Sequence, residues 1–471
     1  MSWIYRSASE LARAIADKQV SSEEVVRAHL ARIDAVNPTL NAVVARLDDE
    51  ALAEARRADA ELAHGALRGP LHGVPVTFKE SLAMSGKVTS CGSTLLQRNV
   101  TAEDATAVAR LKRAGAVPIA RTNVPDMGMD VQTHNLVWGI TRNPWDPERT
   151  PGGSSGGEAA AIASGMSPLG LGSDVGGSIR IPAAFCGILG LKPTQNRVSI
   201  AGHVPLVFHD FLQIGPLARA VEDLEVALRA IAGPDGKQSM VPPVPLPESR
   251  QHEAARLRIG VLEHNGEMHV SRAVRDGIAR AAKAAASLGH HVEPARFERP
   301  EDAAICLLRF FGVELAGLLR DVRADSRAYH PYLLELAQVV PLPSGHELEE
   351  AFKLRDSLRA RMMACFARHE VLICPQFTVP AFPIGSGATV EVEGEKVPMV
   401  GAMPYSLLVN ATGNPSLVIP TGLAEGLPVG VQLVGRMWDE PTLFALAAPL
   451  LETLGGVPRP PEPAAGRKRP A

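Results

Sequence analysis

Near the start of the chain the apolar residues Leu11, Ile15, Val25, Val26, Leu30 and Ile33 recur at the spacing that puts side chains on one helix face. Ser21 and Glu24 have the relation of a capping box, and Asn37-Pro38 predicts the end of that helical stretch. A compact apolar run at residues 73–78 predicts a buried strand with Lys79 at its end. A second capped helix is predicted over 101–113, closed by Gly115, and a strand over 117–120. Further apolar runs at 258–262, 371–374, 417–420 and 429–433 predict later strands. Short buried strands alternating with helices predict an α/β layered fold.

Residues 150–194 break this pattern. Pro151-Gly152-Gly153-Ser154-Ser155-Gly156-Gly157 is followed by an Ala-rich helix and then by Gly170-Leu171-Gly172-Ser173-Asp174-Val175-Gly176-Gly177-Ser178. Glycine at this density costs backbone entropy, roughly 0.5–1 kcal/mol per residue against alanine in regular structure. Close backbone approach to a ligand, or positive φ, accounts for that cost. A linker does not, because Ile179, Ile181, Phe185, Ile188 and Leu191 follow at once. Residues 233–257 are Pro-rich and predict a surface crossing, while 458–471 predict a disordered tail. The expectation is one domain over 1–457, with its core at about 70–200.

The composition is that of a globular protein, 46% hydrophobic and 21% charged over 471 residues. A net charge of −3 gives no support to nucleic acid as a partner. The sequence offers neither a secretory signal nor an apolar stretch of membrane-spanning length, so a cytoplasmic protein with no obligate membrane contact is expected. Cys91, Cys186, Cys306, Cys365 and Cys374 are scattered without metal-ligand spacing and read as reduced, packed thiols. Of these, only Cys186 falls close to the glycine-rich region.

Three polar positions carry candidate chemistry: Lys79, Ser154 and Ser178. A serine hydroxyl needs a nearby base to become a nucleophile. Lysine serves as that base only when neutral, which requires burial away from anions. Five apolar or weakly polar residues before Lys79 suit burial. The adjacent Glu80 either pairs with the lysine and keeps it protonated or, by strand alternation, points away, and the sequence leaves both arrangements open.

Residues 152–157, 173–187 and Gly190-Leu191-Lys192-Pro193-Thr194 together resemble the amidase signature. The likeness extends through Thr122-Asn123-Val124-Pro125, Arg142-Asn143-Pro144-Trp145 and Gly426-Leu427-Pro428-Val429-Gly430-Val431-Gln432, and so covers most of the chain. It implies a mixed central β-sheet sandwiched between helical layers. It also implies Ser178 as nucleophile, Ser154 as bridging serine after a cis peptide bond from Gly153, and Lys79 as base. The N–H groups of Val175, Gly176, Gly177 and Ser178 are the implied oxyanion hole, with Ser155 supporting Lys79 and Asp174 and Arg180 bracing the loop. No metal or organic cofactor is implied.

Within the resemblance, the stretch through Ser178 and Arg197-Val198-Ser199 is similar to aryl acylamidases and fatty acid amide hydrolases. Met127, Gly128, Met129 and Val131, with Leu136 and Trp138, are the expected pocket lining. On that basis the expected substrate is a small amide with apolar or aryl groups, or a carbamate or ester, cleaved by a monomer or homodimer. Residues 301–340 are expected to be helical, packing into the core in preference to capping the pocket. A second reading is the A subunit of glutamyl-tRNA amidotransferase, a glutaminase within a protein complex. Gly233-Pro234-Asp235-Gly236-Lys237 fits that reading, whereas Phe208-His209-Asp210-Phe211-Leu212-Gln213 departs from its Ser-Leu-Asp-Gln pattern. A third is a Ser-His-Asp α/β-hydrolase, since Gly152-Gly153-Ser154-Ser155-Gly156 satisfies G-x-S-x-G; it requires a strand directly before the serine.

Overall fold

The computed structural model describes residues 3–249, 256–262, 269–318, 320, 326–340 and 342–462. An eleven-stranded sheet forms its centre. In chain order the strands are β1 (Val43–Arg46), β2 (Pro75–Lys79), β3 (Val117–Thr122), β4 (Leu169–Asp174), β5 (Leu189–Lys192), β6 (Gln213–Ala218), β7 (Arg258–Val261), β8 (His291–Pro294), β9 (Val371–Pro375), β10 (Ser416–Ala424) and β11 (Leu427–Gly435). Their spatial order is β1-β3-β2-β4-β6-β5-β10-β11-β9-β7-β8. Pairings of both senses occur: β2 runs parallel to β3 and β4, while β4–β6 and β10–β11 are antiparallel. Helices pack against this mixed sheet, as the sequence pattern predicts, and the core is continuous through it.

The elements depart from the apolar pattern where something else satisfies the backbone. The Ser21–Glu24 capping box forms, but its helix runs on to Leu40 with Pro38 in the last turn. Asn37 closes the far end by accepting the N–H groups of Ala42 and Val43, each at 2.8 Å. The helix predicted from 101 spans only Thr106–Arg113, and Thr101 donates to the Met84 carbonyl at 2.8 Å instead of capping. The Pro-rich crossing is pinned to the body through residue 249, where Arg197 donates to the carbonyls of Val244 and Pro245 at 3.0 and 3.1 Å. Residues 250–255 of that crossing and 463–471 of the predicted tail lie outside the described residues. The first part of the tail is docked: Pro460 is buried and Glu462 pairs with Arg32 at 2.6 Å.

The glycine-rich stretch at 170–174 is a fully buried strand, not a loop. Its glycines serve packing. A Cβ on Gly170 would collide with the Glu158 carboxylate, and one on Gly172 would lie 2.8 Å from Ser155 Oγ. The helix Gly156–Ala163 therefore sits directly on β4, and polar side chains from its first turn reach the sheet. Lys79 ends β2 and Asp174 ends the parallel strand β4, so one edge of the sheet carries both. Loops beyond such strand ends are where open α/β sheets place ligands. No described helix is long and apolar enough to cross a membrane.

Phe444 is fully buried on the helix Glu440–Thr453 that covers β10 and β11, well away from this edge. Phe444→Ala is expected to cost about 3–5 kcal/mol of stability through the cavity it leaves. Chemical denaturation should show a lower midpoint, with catalytic constants at 25 °C unchanged.

Candidate active site

Lys79 is 1% exposed. Its Nζ lies within hydrogen-bond distance of two hydroxyls, Ser154 Oγ at 2.7 Å and Ser173 Oγ at 2.9 Å. Glu80 turns away, accepting from the Ser90 N–H at 2.6 Å and the Ser90 hydroxyl at 3.1 Å, with Arg121 at 3.8 Å. The lysine therefore has no direct ion-pair partner among the described residues. Burial lowers its pKa from 10.5 to about 8, although Cys91, Asp174 and Glu158 pull in the opposite direction. That drop represents roughly 3 kcal/mol of lost preference for the ammonium form.

The Gly153–Ser154 peptide is cis, as the resemblance implies. A side chain on Gly153 would run into the Asp130 carbonyl, so glycine is required where these backbones touch. The two glycine-rich turns are tied together by the Ser155 N–H, which donates to the Ser178 carbonyl at 3.0 Å. Ser155 does not support Lys79, in contrast to the expectation; its hydroxyl donates to the Ser173 carbonyl at 3.2 Å. Ser173, one strand residue before Asp174, makes the second contact with the lysine. The sequence pattern held no reason to prefer it over Ser155, because only the approach of helix to β4 separates their roles.

Asp174 organises the turn that carries Ser178. It accepts from the N–H of Gly177 at 2.8 Å and of Ile179 at 3.1 Å, and Arg180 clasps it with two contacts of 3.0 Å. Burial alone would raise this carboxyl; the guanidinium outweighs burial and holds it well below the usual carboxylate range. Asp174 and Arg180 thus hold this turn together. Gly177 is a correction to the expected oxyanion donors, because its N–H is already committed to Asp174. The N–H groups of Val175, Gly176 and Ser178 remain as candidates.

Lys79, Ser154, Ser173 and Ser178 share the wall of a cavity of about 150 Å³. Met127, Gly128, Met129 and Val131 also line it. Leu136 and Trp138 do not: Leu136 is exposed, and the Trp138 indole donates to Ser90 Oγ at 3.2 Å. Segment 301–340 does more than pack into the core. Leu308 and Phe311 of the helix Asp302–Glu314, and Tyr332 and Leu336 of the helix Pro331–Val339, close over the cavity. Phe208 in the 203–212 loop meets Phe311 with ring centroids 4.2 Å apart.

Three neighbours escaped sequence reasoning. Glu158 accepts from the hydroxyls of Thr77 and of Thr122, the latter at 2.7 Å, and burial pushes it up to about 7. His203 reaches Ser173 Oγ with its Nε2 at 2.9 Å. Cys91, not Cys186, is the thiol beside the lysine, and burial pushes it up beyond any ordinary thiol range. The α/β-hydrolase reading fails on local structure, since no strand runs directly into Gly152.

The sequence profile of the Amidase family matches residues 24–444. The glutamyl-tRNA(Gln) amidotransferase A subunit of Moorella thermoacetica is 37% identical, over 95% of this chain and 96% of its own length. A solved chain described as part of a vestigial protein complex, revealing the origins of an s-triazine catabolic enzyme, superposes with a TM-score of 0.88 at 33% identity, covering 96% of this chain and 99% of that one. A bacterial aryl acylamidase of the amidase signature enzymes gives 0.86 at 27% identity, covering 96% of each. The fold is that of the amidase signature enzymes, as the sequence implied. The substrate and partner expectations require correction. Full-length likeness to one component of an amidotransferase, and to a member of a protein complex, overturns the reading of a lone monomeric or homodimeric hydrolase for apolar and aryl amides.

A base that must be neutral works above its own pKa. The rate constant kcat/KM is therefore expected to rise with pH through about 8 and then level off. Lys79→Ala should lower kcat by about 10²–10⁴-fold and flatten that rise, measured by steady-state kinetics from pH 6 to 10.

Proposed function

Because the chain belongs to the amidase family, we propose that it is the amide-cleaving component of a protein assembly and releases ammonia from the side-chain carboxamide of glutamine. The observation that carries this reading is the buried Lys79 amine, 2.7 Å from Ser154 Oγ in the cavity that also holds Ser178. The full-length likeness to amidotransferase A subunits supports the choice of donor and the need for partners.

Ser178 Oγ attacks the carboxamide carbon. Its proton passes to Ser154, whose own proton passes to Lys79. The oxyanion that forms faces the N–H groups of Val175, Gly176 and Ser178, and each well-aimed donor is worth about 3 kcal/mol. When the C–N bond breaks, the proton returns from Lys79 through Ser154 to the departing nitrogen, and ammonia leaves. Water then attacks the Ser178 ester by the same relay, freeing glutamate and the enzyme. Ser154 and Ser178 stand on one cavity wall, and a contact of this kind commonly tightens only when substrate arrives.

The two methylenes of a glutamine side chain suit the Met127, Met403 and Leu407 wall. Its α-carboxylate finds no arginine among the described residues lining the cavity. In this reading a partner completes donor recognition, so glutamine turnover belongs to the assembly.

Isolated gently from its native cells, the chain is expected in a stable complex that converts glutamine to glutamate and ammonia. The separated chain should be far slower, and complexes carrying Ser178→Ala inactive. Ser154→Ala should lower kcat by about 10²-fold or more. A solitary chain with no associated protein, indifferent to glutamine under all conditions, would overturn the proposal.

A further inference from the structure

His203 is buried beside the lysine in a loop fixed on several sides. Its N–H donates to the Ile200 carbonyl at 3.0 Å, its backbone bridges to Leu82, and the Val204 N–H donates to the Ser81 carbonyl at 2.8 Å. The ring spans two partners: Nδ1 lies 2.9 Å from the Pro205 carbonyl and Nε2 lies 2.9 Å from Ser173 Oγ. Nothing in the relay through Ser154 uses this histidine.

The proton positions follow from donor and acceptor chemistry. A carbonyl only accepts, so Nδ1 carries the hydrogen. A neutral imidazole with a protonated Nδ1 has only a lone pair at Nε2, and Ser173 must therefore donate its hydroxyl hydrogen there. Ser173 then meets Lys79 with oxygen lone pairs alone and accepts from the amine. A neutral lysine has two hydrogens and one lone pair. With one hydrogen directed to Ser173, its lone pair is free to face the Ser154 hydroxyl at 2.7 Å.

We propose that His203, acting through Ser173, is a positioning residue that sets the direction of hydrogen bonding at Lys79, so that the amine accepts from Ser154 and not from Ser173. This rests on the reading of Lys79 as the base for Ser178. Without the acceptor at Nε2, the Ser173 hydrogen is free to turn toward the lysine and compete for its lone pair. Burial, assisted by Lys79, lowers the imidazole pKa to about 3, so the ring stays neutral over the working range. The other titratable groups facing the lysine are Cys91 from the loop after β2, Glu158 from the helix beneath, and Asp174 at the end of β4. Each remains in place when only residue 203 is changed.

An alkyl fluorophosphonate tests this without knowledge of the natural donor. Attack forms a Ser178 O–P bond and expels fluoride, while the hydroxyl proton goes through Ser154 to Lys79. Two substitutions separate the two ends of the ring. In His203→Asn the amide N–H₂ overlaps Nδ1, so the Pro205 contact survives and the acceptor toward Ser173 is lost. In His203→Gln the amide oxygen reaches the Nε2 position and restores that acceptor.

The second-order labelling rate of the full chain at pH 9 is expected to fall about tenfold or more in His203→Asn, with its pH inflection displaced, and to stay within about threefold in His203→Gln. In a Ser173→Ala background, His203→Asn should change nothing further. Equal rates in the two His203 variants, the reverse order, or an unmoved inflection in His203→Asn would each overturn the proposal. Lys79→Ala and Ser178→Ala serve as controls. If labelling survives them, the reading of the triad fails; if they abolish it while position 203 is indifferent, only the role of His203 fails.

Discussion

A lysine amine taken out of water and denied a carboxylate partner is the constraint on which the site depends. An amine in solvent stays protonated at neutral pH and cannot accept a proton from a serine. Here burial supplies the shift, and the strand geometry that sends Glu80 toward Ser90 and Arg121 prevents its reversal. Two hydroxyls, from Ser154 and Ser173, then satisfy the amine without charging it. Asp174 would undo this arrangement if it were free, but Arg180 occupies both of its oxygens.

Holding two serines and a lysine in one small volume requires backbones closer than side chains ordinarily allow. Gly153 lets its turn rest on Asp130, and Gly170 and Gly172 let the helix at 156–163 lie directly on β4. The same packing brings Glu158 under β2 and β3, where the hydroxyls of Thr77 and Thr122 hold it. Glycine in these positions is thus a packing device, and its entropic cost is offset by the interactions it admits.

The cover over the cavity comes from far along the chain. Helices at 302–314 and 331–339 meet the 203–212 loop across the mouth, with Phe311 and Phe208 in ring contact. The cover's side chains facing the cavity are mostly apolar, yet the loop that contributes Phe208 also carries His203, which reaches Ser173 Oγ at 2.9 Å.

Lys79, Ser154 and Ser178 were legible in the linear chain because their residue types, glycine surroundings and long motif converge on one chemistry. The strands at 75–79, 117–122, 371–375 and 416–435 were legible from apolar runs that need burial. β4 was not, since its glycines mimic a loop until the helix that requires them is in place. Ser173, His203 and Cys91 carried no local signal, and Ser155 and Gly177 carried a misleading one. Whether a hydroxyl or N–H faces the lysine, a carboxylate or open space depends on contacts between segments distant in the chain. Sequence therefore determined which reactive groups exist and which stretches must be buried. Only tertiary packing decided which of them touch, because a hydrogen bond is settled by tenths of an ångström and not by order along the chain.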